Sequence, residues 1–257
     1  MRSACTIALG LMLLAILVSL ACDSGVKAVK TAGRVADGIS RLADAESSTP
    51  GGGSALDRPL PSDVQEVVAV LDDLPVAERG SEIEYDRRDW RHWVDADQDC
   101  QDTRAEALIA ESLAAVAFAG DEECRVTGGE WLGPWSGQVF TDAGDVDIDH
   151  HVPLGHAHES GGWDWDKERK RAYANDLNHP ASLQVTESSL NRSKGKQPPD
   201  QWRPEDTAGW CRYASDWVSV KAQWELTVSR AEVEALKEML GTCDHEGSWG
   251  LTGARSE

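Results

Sequence analysis

Residues 145–160 read DVDIDHHVPLGHAHES, and three aspartates and four histidines fall within this one stretch. Polar and apolar residues alternate from Asp147 to His150, as they do in a strand. Pro153 should end that strand, because proline has no N–H group to donate to a sheet ladder. Strict alternation places Asp149 and His150 on opposite faces, so both can serve one site only where the strand ends or bulges. The stretch therefore predicts a polar site at the end of a strand.

A second strand and a short helix are predicted within residues 175–196, NDLNHPASLQVTESSLNRSKGK. Leu183 and Val185 delimit a short run that fits a strand, and Ser188 can cap a helix that ends near Gly195. Strand, strand and helix are the smallest scaffold on which a strand-end Asp and His can face a side chain from a helix. The predicted fold class is α+β.

Other segments have the composition or the caps of strands and helices. Residues 128–148 combine Gly, Trp, Val and Phe with turn residues, which predicts short strands. Helical periodicity predicts flanking helices over residues 103–118, 166–176, 206–226 and 229–240. The two predicted capping boxes are Thr103 with Glu106 and Ser229 with Glu232.

The chain begins with an apolar run that is too short for a membrane span and fits a secretory signal. We predict a signal peptide at residues 1–21 and lipid attachment at Cys22, which follows small residues as in a bacterial lipobox. Residues 22–62 contain a glycine triplet and predict a flexible tether. One domain, residues 63–246, then precedes a flexible tail, residues 247–257. The predicted location is the bacterial cell envelope, with the lipid as membrane anchor, or the medium if no lipid is attached.

Four cysteines remain after the predicted signal and lipid sites are set aside. An even number of cysteines in an exported chain is typical of disulfides. None of their spacings matches a zinc knuckle. Three pairings are open, and we favour the sequence-local one, Cys100 with Cys124 and Cys211 with Cys243. The domain is therefore predicted to be stapled by two disulfides.

The formal net charge is −20, which argues against a protein that coats nucleic acid through its overall field. The charge is uneven, however. Residues 167–203 hold eight Lys or Arg against four Asp or Glu, a local charge of +4. A polyanionic substrate would have to be bound by a local patch together with a metal ion.

The order of several short motifs resembles the HNH nucleases, which have a ββα-metal core. These motifs are DIDHHVPL, ANDL, SLQV and NRSKG, and the likeness extends through YDRRDW, DADQDCQDTRAEAL and PPDQWRP. More specifically, residues 85–243 look like an exported HNH endonuclease family related to the C-terminal domain of GmrSD-type restriction enzymes. The resemblance implies an α+β domain with a ββα-metal core that hydrolyses DNA, with RNA as a second candidate substrate.

The resemblance also implies roles for individual residues. Asp149 matches the family's metal ligand, His150 its general base, and Asn191 the helix-borne residue that completes the metal site. Lys194 falls where such proteins often keep a basic side chain near the phosphate. The further candidates for substrate binding are Arg192 and Lys196.

Phosphodiester hydrolysis explains why these residue types are needed. A neutral histidine, with an ordinary pKa of about 6.5, can take a proton from an attacking water. Oxygen ligands from a carboxylate and an amide favour a hard cation, so the expected cofactor is Mg²⁺, for which another divalent ion could substitute. The middle Asn that commonly orders the loop of HNH sites has no exact match, and Ser182 stands at the aligned place.

Three alternatives stay open at this point. His156 and His158, with His151 or His179, have a spacing that zinc ligands use, which would make the protein a zinc-dependent hydrolase. A non-catalytic envelope lipoprotein could instead retain the domain as a binding scaffold.

The third alternative is a calcium loop. Its ligand positions would be filled by Asp95, Asp97, Asp99, Thr103 and Glu106. Cys100 stands where such a loop needs a sharply turning glycine, so a capped acidic turn is the simpler interpretation.

Overall fold

The computed structural model describes residues 64–243, so the predicted signal peptide, the lipid site at Cys22, the tether and the tail lie outside the described residues. Its helices and strands form a mixed α+β architecture, as predicted. In chain order they are α1 (Val64–Asp73), α2 (Thr103–Glu111), β1 (Ala117–Phe118), β2 (Val126–Leu132), β3 (Val139–Asp142), β4 (Val146–His150), α3 (Leu154–Glu159), α4 (Lys167–Ala174), β5 (Leu183–Glu187), α5 (Ser188–Lys194), α6 (Trp210–Gln223) and α7 (Arg230–Leu240). Single 3₁₀ turns lie at Arg87–Asp89, Gly162–Asp164 and Thr207–Gly209.

The described strands form two antiparallel sheets. One sheet has the order β1-β2-β3, and the other consists of β4 and β5 alone. In the second sheet Asp149 lies opposite Gln184 and His150 lies opposite Leu183. The predicted strand-end site is therefore at the His150 end of β4, where the ladder stops.

Helix α5 packs against the two-stranded sheet because the chain turns directly from β5 into it. Ser188 is the first residue of α5 and follows Glu187, the last residue of β5. The backbone N–H of Ser188 donates to the carbonyl oxygen of Asp145 at 3.1 Å, which fixes the start of the helix beside the start of β4. Side chains alternate along a strand, so Val146 and Ile148 point into an apolar cluster and Asp147 and Asp149 share the other face.

Two apolar clusters hold the domain together. The first lies between α2 and the strands and includes Leu108, Trp131 and Val185. The second packs α1, α6 and α7 together and includes Trp90 and Trp217, both fully buried. Burial of one large apolar side chain stabilises a fold by roughly 1.5–3 kcal/mol, so these clusters supply a rigid support for the polar face of β4.

The predicted helix over residues 103–118 is too long. Helix α2 ends at Glu111, because Ser112 adopts an extended conformation and its Oγ donates to the carbonyl of Ala114 at 2.7 Å. Residues 117 and 118 instead form β1. The N-cap is Asp102 rather than Thr103, since the Asp102 carboxylate accepts from the N–H of Ala105. Thr103 bonds the carbonyl of Val94 instead.

The other helix predictions agree more closely with the structure. Asp166 caps α4, and Ser229 with Glu232 forms the predicted capping box of α7. The helix predicted from residue 206 begins only at Trp210, after the 3₁₀ turn. No helix within residues 64–243 is long and apolar enough to cross a membrane.

Both disulfides have the predicted sequence-local pairing. Cys100 is bonded to Cys124 with a Cα–Cα distance of 5.1 Å, and Cys211 to Cys243 with 5.0 Å. The second bond ties the start of α6 to the residue that lies just beyond α7. It therefore links the two helices α6 and α7 covalently.

Candidate active site

Two acidic side chains on β4 meet two polar side chains on α5. Nδ2 of Asn191 donates to Oδ2 of Asp147 at 3.1 Å, and Nζ of Lys194 donates to Oδ2 of Asp149 at 2.5 Å. Residues two apart on a strand point the same way, and residues three apart lie on one face of a helix. The two periodicities therefore match, so each acid has its own partner on the helix.

The ion pair between Asp149 and Lys194 is buried. The two side chains are 5% and 1% exposed, and Nζ also donates to the carbonyl of His150 at 3.2 Å. Burial raises the pKa of Asp149, while the charge and hydrogen bond of Lys194 oppose that rise. Burial likewise lowers the pKa of Lys194, against the attraction of Asp149. The predicted phosphate-binding lysine thus faces the predicted metal ligand and not the solvent.

His150 is held in one orientation and one tautomer. Its Nε2 lies 3.0 Å from the carbonyl oxygen of Ala174, which can only accept, so Nε2 carries the hydrogen. In the neutral ring Nδ1 then keeps the free lone pair. The ring stacks between Trp93, at 5.7 Å between centroids, and Tyr173, at 6.4 Å. Burial lowers the pKa of His150 to about 3, so the ring is neutral at physiological pH.

The ring that covers His150 is itself held by Asn175. Trp93 has a φ of 56°, a left-handed conformation that a bulky side chain rarely adopts. The amide oxygen of Asn175 accepts from the N–H of Val94 at 3.0 Å, and its nitrogen donates to the carbonyl of Arg91 at 2.7 Å. Both ends of the segment Arg91–Val94 are thereby fixed, and the strained Trp93 stays against His150.

The loop between α4 and β5 is ordered by an aspartate. The carboxylate of Asp176 accepts from Oγ of Ser182 at 2.8 Å and from Nε1 of Trp224 at 3.1 Å. Ser182 also accepts the backbone N–H of His151 through its carbonyl oxygen. Ser182, which the resemblance to HNH nucleases places where they have their middle Asn, therefore acts together with Asp176 in bracing the loop that follows Ala174.

The two remaining substrate-binding candidates differ in their surroundings. Arg192 is exposed on α5. Lys196 lies beyond the end of the helix, where its Nζ is 2.6 Å from a carboxylate oxygen of Glu159. A pair that is 64% exposed on the lysine side is weak, so Lys196 can exchange this partner for another anion.

The structure does not bring the histidines of the alternative zinc site together. Nε2 of His156 is 3.0 Å from Glu232, whereas Nε2 of His158 is 2.7 Å from the carbonyl of Ile83 and Nε2 of His151 is 2.9 Å from the carbonyl of Tyr213. Within residues 64–243, no group of three metal-ligating side chains includes these histidines. The spacing of two was misleading because residues two apart on α3 do not share a face.

The acidic turn is a separate feature. Carboxylate oxygens of Asp95, Asp97 and Asp99 lie within 4.8 Å of one another. The carboxylate of Asp95 accepts the N–H groups of Gln98 and Cys100, at 2.7 and 3.1 Å, so the turn is capped from within. These backbone bonds account for the loop as the capped acidic turn that the sequence predicted.

Three residues of the site were not identified from the sequence. Asp147 could have been found, since it stands two positions before Asp149 in an alternating strand. Trp93 and Asn175 could not, because their contacts join segments that are far apart in the chain.

A family model described as the C-terminal domain of GmrSD restriction endonucleases matches residues 96–239. A relative described as an uncharacterized secreted protein, from Arthroderma benhamiae, is 37% identical over 175 residues, which cover 68% of this chain and 83% of the relative. No solved structure gives a significant match to this chain. The family match spans more than half of the chain, and it includes β4, α5 and the loop between α4 and β5. The chain therefore belongs to the family of the C-terminal domain of GmrSD restriction endonucleases, a family of nucleases that act on nucleic acid.

Proposed function

We propose that the protein is a metal-dependent HNH endonuclease that hydrolyses phosphodiester bonds of DNA, with RNA as a second candidate substrate. In this proposal β4, β5 and α5 are the ββα-metal core. The observation that carries the proposal is the meeting of β4 and α5, which brings Asp147 to Asn191 beside Asp149 and the oriented His150. Family membership supports the same chemistry.

The donor set fits a hard divalent cation. Asp149 and Asn191 are the proposed ligands, and Asp147 adds a second carboxylate on the same face of β4. The bond from Asn191 to Asp147 uses the amide nitrogen and leaves the amide oxygen free to act as a ligand. Carboxylate and amide oxygens suit Mg²⁺. Such an ion would supply positive charge beside the oxygen that leaves phosphorus.

The side chains of the chain itself have distinct roles. His150 takes the proton of the attacking water on Nδ1, since its Nε2 is committed to the carbonyl of Ala174. The stacked rings of Trp93 and Tyr173 keep the imidazole in position. Lys194 holds the carboxylate of Asp149 and compensates its buried charge. Arg192 and Lys196, at and just beyond the end of α5, would contact the phosphate backbone.

Export is part of the proposal. A signal peptide at residues 1–21 and a lipid on Cys22 would place the domain on the outer side of a membrane, and two disulfides suit an oxidising compartment. The description of the relative as secreted supports export. Changing Cys22 to Ser should release the protein from membranes. Unchanged partitioning into detergent would contradict lipidation.

The test of activity is nicking of supercoiled plasmid by the purified mature protein. Cleavage should require Mg²⁺, stop when EDTA is added and resume when Mg²⁺ is restored. Parallel reactions with RNA and with single-stranded DNA decide the substrate range. Protein that is folded by circular dichroism and cuts none of these substrates would contradict the proposal.

A binding scaffold is the second candidate, and the buried Lys194 favours it. The ammonium group already neutralises Asp149, so a cation would have to share that carboxylate. A scaffold would bind nucleic acid without cutting it and would take up no Mg²⁺. Calorimetric titration with Mg²⁺ separates the two candidates, because only the enzyme needs the ion.

A further inference from the structure

Arg87 lies close to the candidate base although it belongs to neither β4 nor α5. It begins a 3₁₀ turn, and its Nη2 is 3.3 Å from Nε2 of His92. Nδ1 of His92 is 2.9 Å from the carbonyl of Trp90, which can only accept, so Nδ1 carries the hydrogen. In the neutral ring Nε2 therefore accepts from Arg87, and the imidazole holds the guanidinium in place.

A continuous set of contacts joins this pair to His150. The ring of His92 packs edge-on against Trp93 with 5.2 Å between centroids, and Trp93 stacks on His150 with 5.7 Å. After the larger effect of burial, the charge of Arg87 also lowers the pKa of His150. The guanidinium is thus within electrostatic reach of the base.

The neighbouring acid does not neutralise Arg87. The carboxylate of Asp86 is taken by Arg88, whose Nε and Nη2 approach it at 2.9 and 2.5 Å. Within residues 64–243, Arg87 forms no ion pair with an acidic side chain, whereas Arg88 pairs with Asp86. Arg87 is also exposed. Its charge is therefore available to an anion from solution.

Guanidinium groups favour phosphate because their N–H groups match two of its oxygens. Lys194 cannot serve in this way while it is buried against Asp149. The geometry points to a phosphate-binding subsite in which Arg87, supported by His92, holds a phosphodiester of the nucleic-acid strand beside His150. This inference rests on the proposed function and names a contact from a segment outside β4 and α5.

The subsite is tested by binding, so that the result does not depend on cleavage. The probe is a fluorescein-labelled DNA duplex, and anisotropy is measured in EDTA at several salt concentrations with the mature protein. Arg87→Met should weaken binding at least tenfold and should reduce the slope of log K against log[salt] by about 0.9, the value for one lost phosphate contact. Arg87→Lys keeps the charge and should retain most of the slope.

Arg88→Met is the matched control, since it removes the same charge from the next residue, where Asp86 already neutralises it. It should change affinity less than twofold. Equal effects of Arg87→Met and Arg88→Met, with both variants folded by thermal melting, would overturn the subsite.

Plasmid cleavage measured in parallel separates the two proposals. If the wild-type protein cleaves plasmid but Arg87→Met weakens DNA binding no more than Arg88→Met does, the subsite is overturned and the nuclease proposal stays intact. Binding that depends on Arg87 without cleavage by the wild-type protein supports the subsite and overturns the nuclease proposal. Absence of both binding and cleavage overturns both.

Discussion

His150 and His151 are neighbours in the chain, but their surroundings give them different tasks. His150 is neutral, has Nε2 fixed by Ala174 and lies beside Asp149 at the strand end. His151 is fully buried against Tyr213 and Trp217, with Nε2 2.9 Å from the carbonyl of Tyr213. The same residue type is therefore the proposed base at one position and part of the core at the next.

His150→Ala should lower the single-turnover rate of cleavage about a hundredfold to ten-thousandfold, because it removes the general base. Binding of Mg²⁺ and DNA should survive, since the carboxylates and the amide remain. His151→Ala should lower the melting temperature but keep the rate within about tenfold at temperatures where it is folded. Normal cutting by folded His150→Ala together with inactive, folded His151→Ala would reverse the assignment.

Asp147 is expected to share in cation binding. Asp147→Ala should raise the Mg²⁺ concentration for half-maximal cleavage at least tenfold, because one carboxylate is lost and Asn191 loses the partner that orients its amide. Asn191→Ala should weaken both Mg²⁺ binding and rate. The double variant should bind Mg²⁺ only slightly more weakly than the more impaired of the two single variants, since the two side chains act together. Additive losses in calorimetric titrations of Mg²⁺ would contradict this coupling.

At the scale of the elements, local patterns predicted the strands and caps but not how distant segments meet. Alternation placed β4, and the cap residues placed the starts of α4 and α7, because these signals lie within a few residues of the element they define. The helix over residues 103–118 was wrong because Ser112 finds backbone partners outside α2. The clamp of Asn175 on Val94 joins residues 81 positions apart, and no local period records such a contact.

Asn175→Ala should loosen the segment that carries Trp93. Loss of four hydrogen bonds, two of them to backbone carbonyls, should destabilise the fold by about 1–3 kcal/mol and lower the cleavage rate more than the affinity for DNA. Asn178→Ala is the control, because Asn178 lies in the same loop but is exposed. It should change neither the stability of the fold nor the cleavage rate. The two variants are compared by urea unfolding and single-turnover rates. Equal rates for both would show that Trp93 need not be held for activity.

At the scale of the whole molecule, a buried polar cluster joins α3, α6 and α7. Nζ of Lys221 contacts Glu232 at 2.7 Å, the carbonyl of Thr227 at 2.6 Å and Oγ of Ser160 at 3.1 Å. Nε2 of His156 lies 3.0 Å from the carboxylate of Glu232 and 2.9 Å from Nζ of Lys221. The cluster connects α3, the helix that follows β4, to the disulfide-linked helices α6 and α7.

Lys221→Met should destabilise the protein by about 3–5 kcal/mol, because it leaves the carboxylate of Glu232 buried without its cation. Lys237→Met is the control on the same layer. Lys237 pairs with Asp72 at the surface, where its side chain is 47% exposed, so its loss should cost less than about 1 kcal/mol. Urea unfolding at neutral pH measures both variants. Similar losses in the free energy of unfolding for the two variants would show that burial of the ion pair does not determine how much it stabilises the fold.

The same cluster should make the fold sensitive to acid. Burial, reinforced by the charge of Lys221, lowers the pKa of His156 to about 4. The unfolded chain, with an ordinary value of about 6.5, therefore binds more protons between these limits, and stability must fall as the pH is lowered from 6.5 to 4 by up to ~3 kcal/mol. Burial tends to raise the pKa of Glu232, but bonds from His156 and Lys221 lower it, which adds a further loss below about 4.5. His156→Gln, which can still donate to Glu232, should unfold with a weaker pH dependence between 6.5 and 4.5, as measured by urea unfolding at each pH. An unchanged slope in that variant would mean that other groups, and not His156, govern the loss of stability in acid.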